Sequence, residues 1–272
     1  MIRFLSIAAC FLFSGLAFAQ TPLCPGGPPG WTEAEGSRCK LWNWCPNGQD
    51  TVTWSGACVD GFAEGPGVNQ WFHSGELFER YEGTMRAGKT DGRGSNTLSS
   101  GERYDGEWRD GQWHGRGVFT YADGSRYEGE WRDSEANGRG IMTWPNGHRY
   151  EGDWRDDKHS GRGIYTWPNG DRYEGEWRDG APNGRGTYSY SNGVWYEGDI
   201  RDGQLNGHGV MSFKDGNWYK GNWRDGWPNG DGTAQINGHI HTGTWRDGCH
   251  RQGDGKAWVT ATEAKCESSG WP

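Results

Sequence analysis

Residues 127–149 read YEGEWRDSEANGRGIMTWPNGHR, and residues 150–172 read YEGDWRDDKHSGRGIYTWPNGDR. Working outward from this pair, Tyr81, Tyr104, Tyr127, Tyr150, Tyr173, Tyr196 and Tyr219 stand 23 residues apart. Most of them open the phrase Tyr-(Glu/Asp)-Gly-(Glu/Asp)-Trp. Arg-Asp follows, then a short variable stretch, then Gly-Arg-Gly, and the unit ends in an aromatic residue and an Asn-Gly or Asp-Gly pair. A fixed period of this length marks a repeat architecture, in which each unit is a supersecondary element that needs its neighbours to bury its apolar face. His241-Thr242-Gly243-Thr244-Trp245 is a last copy, spaced at 22. Trp54-Ser55-Gly56-Ala57-Cys58 is a first copy followed by a small insertion. Atypical units at the ends are what capping repeats look like.

Alternation fixes the local structure. Tyr127, Gly129 and Trp131 fall on one face of an extended strand, with Glu128 and Glu130 on the other, which is the pattern of a half-buried strand. Gly117, Phe119 and Tyr121, or Gly140, Met142 and Trp144, alternate in the same way in the second half of a unit. Asn137-Gly138, Asn183-Gly184 and Asn206-Gly207 read as the turns between halves. Pro145-Asn146-Gly147 and Pro168-Asn169-Gly170 read as the turns between units. Each unit is then one hairpin, and the chain is predicted to be all-β: an elongated single-layer antiparallel meander of about eight units over 54–248. A side chain at Gly106 or Gly117 would occupy the space that the large rings need, so glycine lets Tyr and Trp lie flat across neighbouring backbone. At about 4.8 Å per strand, eight hairpins predict a rod of roughly 75 to 80 Å.

The ends differ from the array. Arg3, the apolar run Phe4 to Leu16 and the small-x-small step Ala17-Phe18-Ala19 read as a signal peptide over 1–19, with the mature chain starting at Gln20. Its removal takes away Arg3 and Cys10, so 28 basic residues become 27 against 36 acidic ones, a formal charge of −9, and seven cysteines become six. An acidic exported chain argues against nucleic acid and disfavours anionic membrane. Cys24, Cys39, Cys45, Cys58, Cys249 and Cys266 are an even set confined to the two ends, as disulfides of an oxidising compartment would be. Residues 20–53 form a Pro/Gly/Cys-rich N-terminal cap, and residues 249–272 form a C-terminal cap with Lys256 to Thr260 as a last strand. Cys58 occupies a Trp slot and is expected to face inward, with Cys39 or Cys45 as its mate. Cys249 and Cys266 flank the last strand and would close the terminal loop. The chain holds 49 glycines and 19 tryptophans among 272 residues, so rings and backbone, rather than aliphatic side chains, have to supply its core.

The Tyr-x-Gly-x-Trp opening and the later Gly-x-Gly step resemble the MORN repeat (membrane occupation and recognition nexus), over Trp54 to about Cys249. The resemblance implies an elongated single-layer sheet with an aromatic-lined groove, used in that family for protein assembly and for contact with lipid head groups. With an export signal, the array would resemble the family's bacterial secreted members rather than its cytoplasmic scaffolds. Ile200 in place of Trp, Ser134 and Asp157 in place of turn glycines, and the cysteine-bearing ends depart from the pattern.

Catalysis finds little support. The acid pairs Glu128/Glu130 and Glu174/Glu176 recur in the five successive units from Tyr104 to Tyr196, together with Arg109, Arg132, Arg155, Arg178, Arg201, Arg224 and Arg246 along the array, as a solvated face with cross-strand charge pairs would. His239-x-His241 could face a metal, but His241 falls in the Tyr slot and no third ligand stands near. No nucleophile elbow and no calcium-loop spacing are present, and no cofactor is expected. The candidate surface is the aromatic face: Trp108, Tyr121, Trp131, Trp144, Trp154, Trp167, Trp177, Tyr190 and Trp223. The expected role is a non-enzymatic exported scaffold that binds a protein partner or a second copy of itself. An envelope glycan, and then a phospholipid surface, are the alternative partners.

Overall fold

In the array, short strands of seven and nine residues alternate, because each unit supplies just enough alternating residues for one hairpin. The computed structural model describes residues 28–252, 255–261 and 265–266. The signal-peptide expectation, the start at Gln20 and Cys24 lie outside the described residues. The chain divides into two units, with the boundary between Lys158 and His159.

The N-terminal unit opens with β1 (Gly30–Glu33), β2 (Lys40–Asn43), β3 (Asp50–Trp54) and β4 (Ala57–Val59). Two long strands follow, β5 (Phe62–His73) and β6 (Glu76–Arg86), and then β7 (Lys89–Leu98), β8 (Arg103–Arg109), β9 (Gln112–Thr120), β10 (Arg126–Arg132), β11 (Glu135–Thr143) and β12 (Arg149–Arg155). From β5 to β12 each strand pairs antiparallel with the next. The cap strands gather on β5: β3 and β4 pair with it antiparallel, and β2, which also pairs with β1, meets it in parallel at Lys40 and Phe62. From His159, the C-terminal unit holds β13 (Lys158–Thr166), β14 (Arg172–Arg178), β15 (Ala181–Ser189), β16 (Trp195–Arg201), β17 (Gln204–Ser212), β18 (Trp218–Arg224), β19 (Trp227–Ile236), β20 (His239–Arg246), β21 (Cys249–Gln252) and β22 (Gly255–Trp258). They too form an antiparallel meander. The last of them overlaps the expected terminal strand, Lys256 to Thr260, as far as Trp258.

The turn within each hairpin corrects the sequence reading. It falls at Asp179-Gly180, Asp202-Gly203 and Asp225-Gly226, closed by Arg178 opposite Ala181, Arg201 opposite Gln204 and Arg224 opposite Trp227. Both central residues have positive φ, 52° and 84° in the first case, which suits a two-residue turn that follows the sheet twist. Ser134 (φ 67°) and Asp157 (φ 63°) hold the glycine position without its freedom. Each side chain accepts a backbone N–H from the preceding hairpin, Trp113 to Ser134 Oγ at 3.2 Å and Ala136 to Asp157 Oδ1 at 2.6 Å. Asn137-Gly138 and its counterparts lie inside the following strand, where the register slips between Gly129 and Trp131. Gly138 has φ 93° there, and the Glu130 carboxylate lies where a Cβ would sit. The pair is a β-bulge rather than a turn. Asn137 instead links successive turns: Arg132 Nη2 donates to its Oδ1 at 2.7 Å, and the Asp156 N–H reaches the same oxygen at 3.4 Å.

Disulfides close both ends, Cys39–Cys58 and Cys249–Cys266. Cys45 is disulfide-bonded as well. The expectation for Cys58 is half corrected. Its mate is Cys39, but Cys58 is exposed, because the chain leaves the array after Gly56 and β4 pairs in the cap. Trp54 nonetheless stands in for the repeat tyrosine, with its ring over Gly56 and Gly67 and its Nε1 donating to the Ala57 carbonyl at 2.8 Å.

Candidate functional site

The inner face of each strand is built from one geometric unit. Gly106 and Gly117 face each other across β8 and β9, and the Tyr104 ring lies over both. A Cβ on Gly106 would sit 2.6 Å from Gly117 Cα, and one on Gly117 2.5 Å from Tyr104 Cζ. The Tyr104 hydroxyl donates to the Glu107 carbonyl at 2.9 Å. The same bond recurs from Tyr127 to Glu130, Tyr150 to Asp153, Tyr173 to Glu176, Tyr196 to Asp199 and Tyr219 to Asn222. Trp131 Nε1 donates to the Gly117 carbonyl at 3.2 Å, and Trp108, Trp154, Trp177, Trp223 and Trp245 do likewise in their own units. Where both flanking slots hold tryptophan, a tyrosine meets two indoles edge-on: Tyr127 touches Trp131 at 4.8 Å and Trp154 at 5.1 Å, and Tyr219 touches Trp223 and Trp245, both at 5.2 Å; Tyr173 and Tyr196, on either side of Ile200, touch Trp177 and Trp223. That is the favoured geometry for aromatic quadrupoles. Burial raises the tyrosine hydroxyl pKa values well above the ordinary phenol value.

This packing divides the nine aromatic residues expected to form the surface. Trp108, Trp131, Trp154, Trp177 and Trp223 are buried, from 3% to 8% exposed, and their polar atoms are satisfied by backbone. Tyr121 and Trp144 in the N-terminal unit, and Trp167 and Tyr190 in the C-terminal unit, sit one step further along the same face, half-buried at a rim. Tyr121 rests on Phe119 at 4.5 Å, Trp167 on Tyr165 at 4.7 Å, and Tyr190 stacks with Tyr188 at 6.1 Å. Burial pushes the Tyr190 pKa up to about 12, so at neutral pH it remains a hydroxyl able to donate. Phe213, 23 residues after Tyr190, occupies the same slot and was missed; its spacing in the sequence was the available signal.

The outer face carries charge. Arg126 pairs with Glu128 at 2.7 Å, Arg149 with Glu151 at 2.6 Å and Arg172 with Glu174 at 2.7 Å, each two residues along one strand. Cross-strand pairs are fewer, Arg139 with Asp153 at 3.2 Å and Arg185 with Asp199 at 3.6 Å. The second acid of each phrase covers the bulge, as where Asp199 Oδ2 accepts the His208 N–H at 2.8 Å. A shallow depression of about 340 Å³ in the C-terminal unit is lined by such groups, Glu176, Arg185, Asp199, Arg201 and Asn206 among them. Its Asp199 carboxylate is engaged by the His208 N–H and by Arg185, and Glu176 lies over Gly184, an arrangement that holds the sheet together. Among the described residues no cluster of three or more His, Cys, Asp or Glu side chains could hold a metal ion. His241 lies 6.3 Å from His250, which is stacked on Trp245. His159, buried beside Trp177, has its pKa lowered to about 3 by burial. Asp157 is raised to about 6, chiefly by burial.

The profile of the MORN repeat matches seven tandem stretches: 81–103, 104–126, 127–149, 150–172, 173–194, 196–218 and 219–235. The chain belongs to the MORN repeat family. No curated protein sequence matches it. Among solved structures it is similar to the TCP domain of Drosophila melanogaster SAS-4 (dCPAP), solved in complex with a proline-rich motif of Ana2. That match has 14% identity and a TM-score of 0.36, covering 58% of this chain and 87% of that one. A CPAP G-box domain matches at 15% identity and a TM-score of 0.35, covering 62% and 94%. Likenesses this weak carry no argument. The MORN motif accounts for the inner rings, since the residues it names are those that pack over glycine. It does not account for the residue just before each tyrosine, which is Arg80, Arg103, Arg126, Arg149 and Arg172 and then Trp195 and Trp218. These two tryptophans on the outer face were also missed by the sequence reading. The disulfides fit an oxidising environment, and among the described residues no helix is long and apolar enough to cross a membrane.

Proposed function

We propose that this MORN array is a non-enzymatic scaffold of an exported, oxidising compartment, whose inner-face rim accepts a segment of a protein partner or of a second copy. The observation that supports this is the division of the aromatic face. The Tyr and Trp of the repeat motif cover glycine and one another, so binding falls to the rim rings Tyr121 and Trp144 in one unit and Trp167, Tyr190 and Phe213 in the other. Within a unit these rings recur once per hairpin, a step of about 9.6 Å. Three residues of a polyproline II segment rise about 9.3 Å and return to the same face, so every third side chain of a segment docked in that form could meet a ring. Export rests on Phe4 to Ala19 and on the disulfides.

The test places a photo-crosslinking amino acid at Trp144 or Trp167, and as controls at Glu151 or Glu174 on the outer face. Adducts to polypeptide from the rim positions alone would support the reading, and sedimentation would tell a second copy from another protein. Equal adducts from both faces, or rim adducts that consist only of glycan or lipid, would overturn it.

A further inference from the structure

The outer face changes character within the C-terminal unit. At the position before the repeat tyrosine, Arg172 is held by Glu174 at 2.7 Å, but the next two units place Trp195 and Trp218 there. The register aligns Trp195, Ser212, Trp218, Gln235 and Ile240 in one row across β16 to β20. Trp195 is 38% exposed and Ile240 58%, with Trp218 half-buried. Neither tryptophan takes part in a ring contact with another aromatic among the described residues, in contrast with the inner indoles. In the next row Glu197, deprived of the arginine that its counterparts pair with, stands exposed beside Val210, Lys220 and Thr233.

We propose that this row is a binding site for an extended β-linked oligosaccharide. The two indoles lie two strands apart, about 9.6 Å, which is close to the length over which an extended β-1,4-linked disaccharide repeats. Alternate pyranose rings could then rest their C–H faces on Trp195 and Trp218. A pyranose has an apolar face and a rim of hydroxyls, and this surface has the complementary layout: planar platforms separated by Ser212 and Gln235, and flanked by a carboxylate, an ammonium and a hydroxyl that can each bond a sugar hydroxyl. A protein-binding patch is built differently, around a continuous apolar centre poor in charge. Here a polar side chain separates the rings, and Glu197 and Lys220 follow each of them by two residues. The site lies on the face opposite the rim, so it does not depend on the scaffold reading.

Intrinsic tryptophan fluorescence and calorimetry of the full chain, titrated with cellohexaose and chitohexaose and with α-linked maltohexaose as a control, test the assignment. Saturable millimolar or tighter binding of a β-linked probe, with maltohexaose weaker, is expected. Trp195→Arg restores the array's own pairing with an acid two residues on, so it should fold normally and weaken binding by about tenfold or more. Trp218→Ser should do the same, and Arg126→Gln, elsewhere on the outer face, should leave binding unchanged. No response to either β-linked probe, or equal binding by Trp195→Arg, would overturn the proposal. A loss of self-association in Trp195→Arg without any effect of sugar would overturn it in favour of a protein contact.

Discussion

Two neighbouring residues in each unit sit under opposite constraints. At the inward position the chain holds tyrosine in seven successive units. One residue earlier, facing outward, it holds arginine five times and then tryptophan twice. The inner position is fixed by fit, because the ring must lie over two facing glycines, bond the carbonyl three residues on, and pack edge-on against the indoles of its own and the next unit, as Tyr127 does. The outer position answers only to solvent and a nearby acid. In an array of this kind the repeated residues therefore report on the fold, and the exceptions on the exposed face report on what the individual chain does.

The contrast is broken most severely by giving an inner glycine a side chain. Gly117→Ala places a methyl carbon against Tyr104, which is 1% exposed and cannot swing aside without losing its backbone bond. The expected cost is about 3 kcal/mol or more, read as a lowered denaturant midpoint. A loss under 1 kcal/mol would mean that the ring is free to move and that the inner face is not the fixed one.

Acid should find the inner slot of β13, which holds an imidazole as the matching slot of β21 does at His250. Where other units place Trp113, Ala136, Pro182 or Leu205 after the turn, β13 places His159, buried and with its pKa depressed to about 3. The unfolded chain binds a proton with the ordinary value of 6.5 and the folded one does not. The stability this residue contributes is thus complete above pH 6.5 and is lost as pH falls from there towards 3. A loss of about 2–4 kcal/mol across that window is expected from the shift, measured by denaturant unfolding at several pH values. His159→Leu should flatten the profile; an unchanged pH dependence in that variant would assign the acid sensitivity elsewhere.

How much of this was legible follows from what each residue answers to. Period, strand alternation, the inner glycines and the Cys249–Cys266 closure could be read directly, because each reflects a local rule of spacing or sterics. The hairpin turn was misplaced because Asn-Gly is the stronger turn signal in isolation. In the structure the pair four residues earlier takes the turn, Asp179-Gly180 ahead of Asn183-Gly184 and Asp133-Ser134 ahead of Asn137-Gly138, and Asn137 is used as a link between turns. Exposure of Cys58 could not be read, since it depends on the chain leaving the array after Gly56. The division of the expected aromatic face into buried Trp131 and half-buried Trp144 depends on ring packing between hairpins, which the alternation of one strand does not contain.

A subtler change tests the polar side of the inner layer. Trp131→Phe keeps an aromatic ring in the slot but removes the Nε1 donor, leaving the Gly117 carbonyl without its 3.2 Å bond, along with a small void. One lost bond to a buried carbonyl and a few missing ring atoms together cost about 1–2 kcal/mol. The same substitution at Trp195 removes no side-chain hydrogen bond among the described residues and no burial comparable to that of Trp131, which is 3% exposed while Trp195 is 38% exposed, so it should leave stability within about 0.5 kcal/mol of the parent. Comparable losses at the two sites would erase the distinction between faces.

The smallest effect belongs to the outer arginines. Arg149 reaches Glu151 at 2.6 Å, but the two side chains are 39% and 48% exposed, so solvent and salt screen the pair and ordering two long side chains offsets much of the attraction. Arg149→Gln should cost no more than about 0.5 kcal/mol, and the difference from the parent should shrink as salt is added. A larger, salt-independent loss would show that the arginine stem is needed as cover for the sheet. In that case replacement by tryptophan at 195 and 218 could be explained as better cover, with no ligand involved. A small, screened loss removes that explanation, because a position whose arginine contributes little to the fold gives the fold no reason to prefer an exposed indole there.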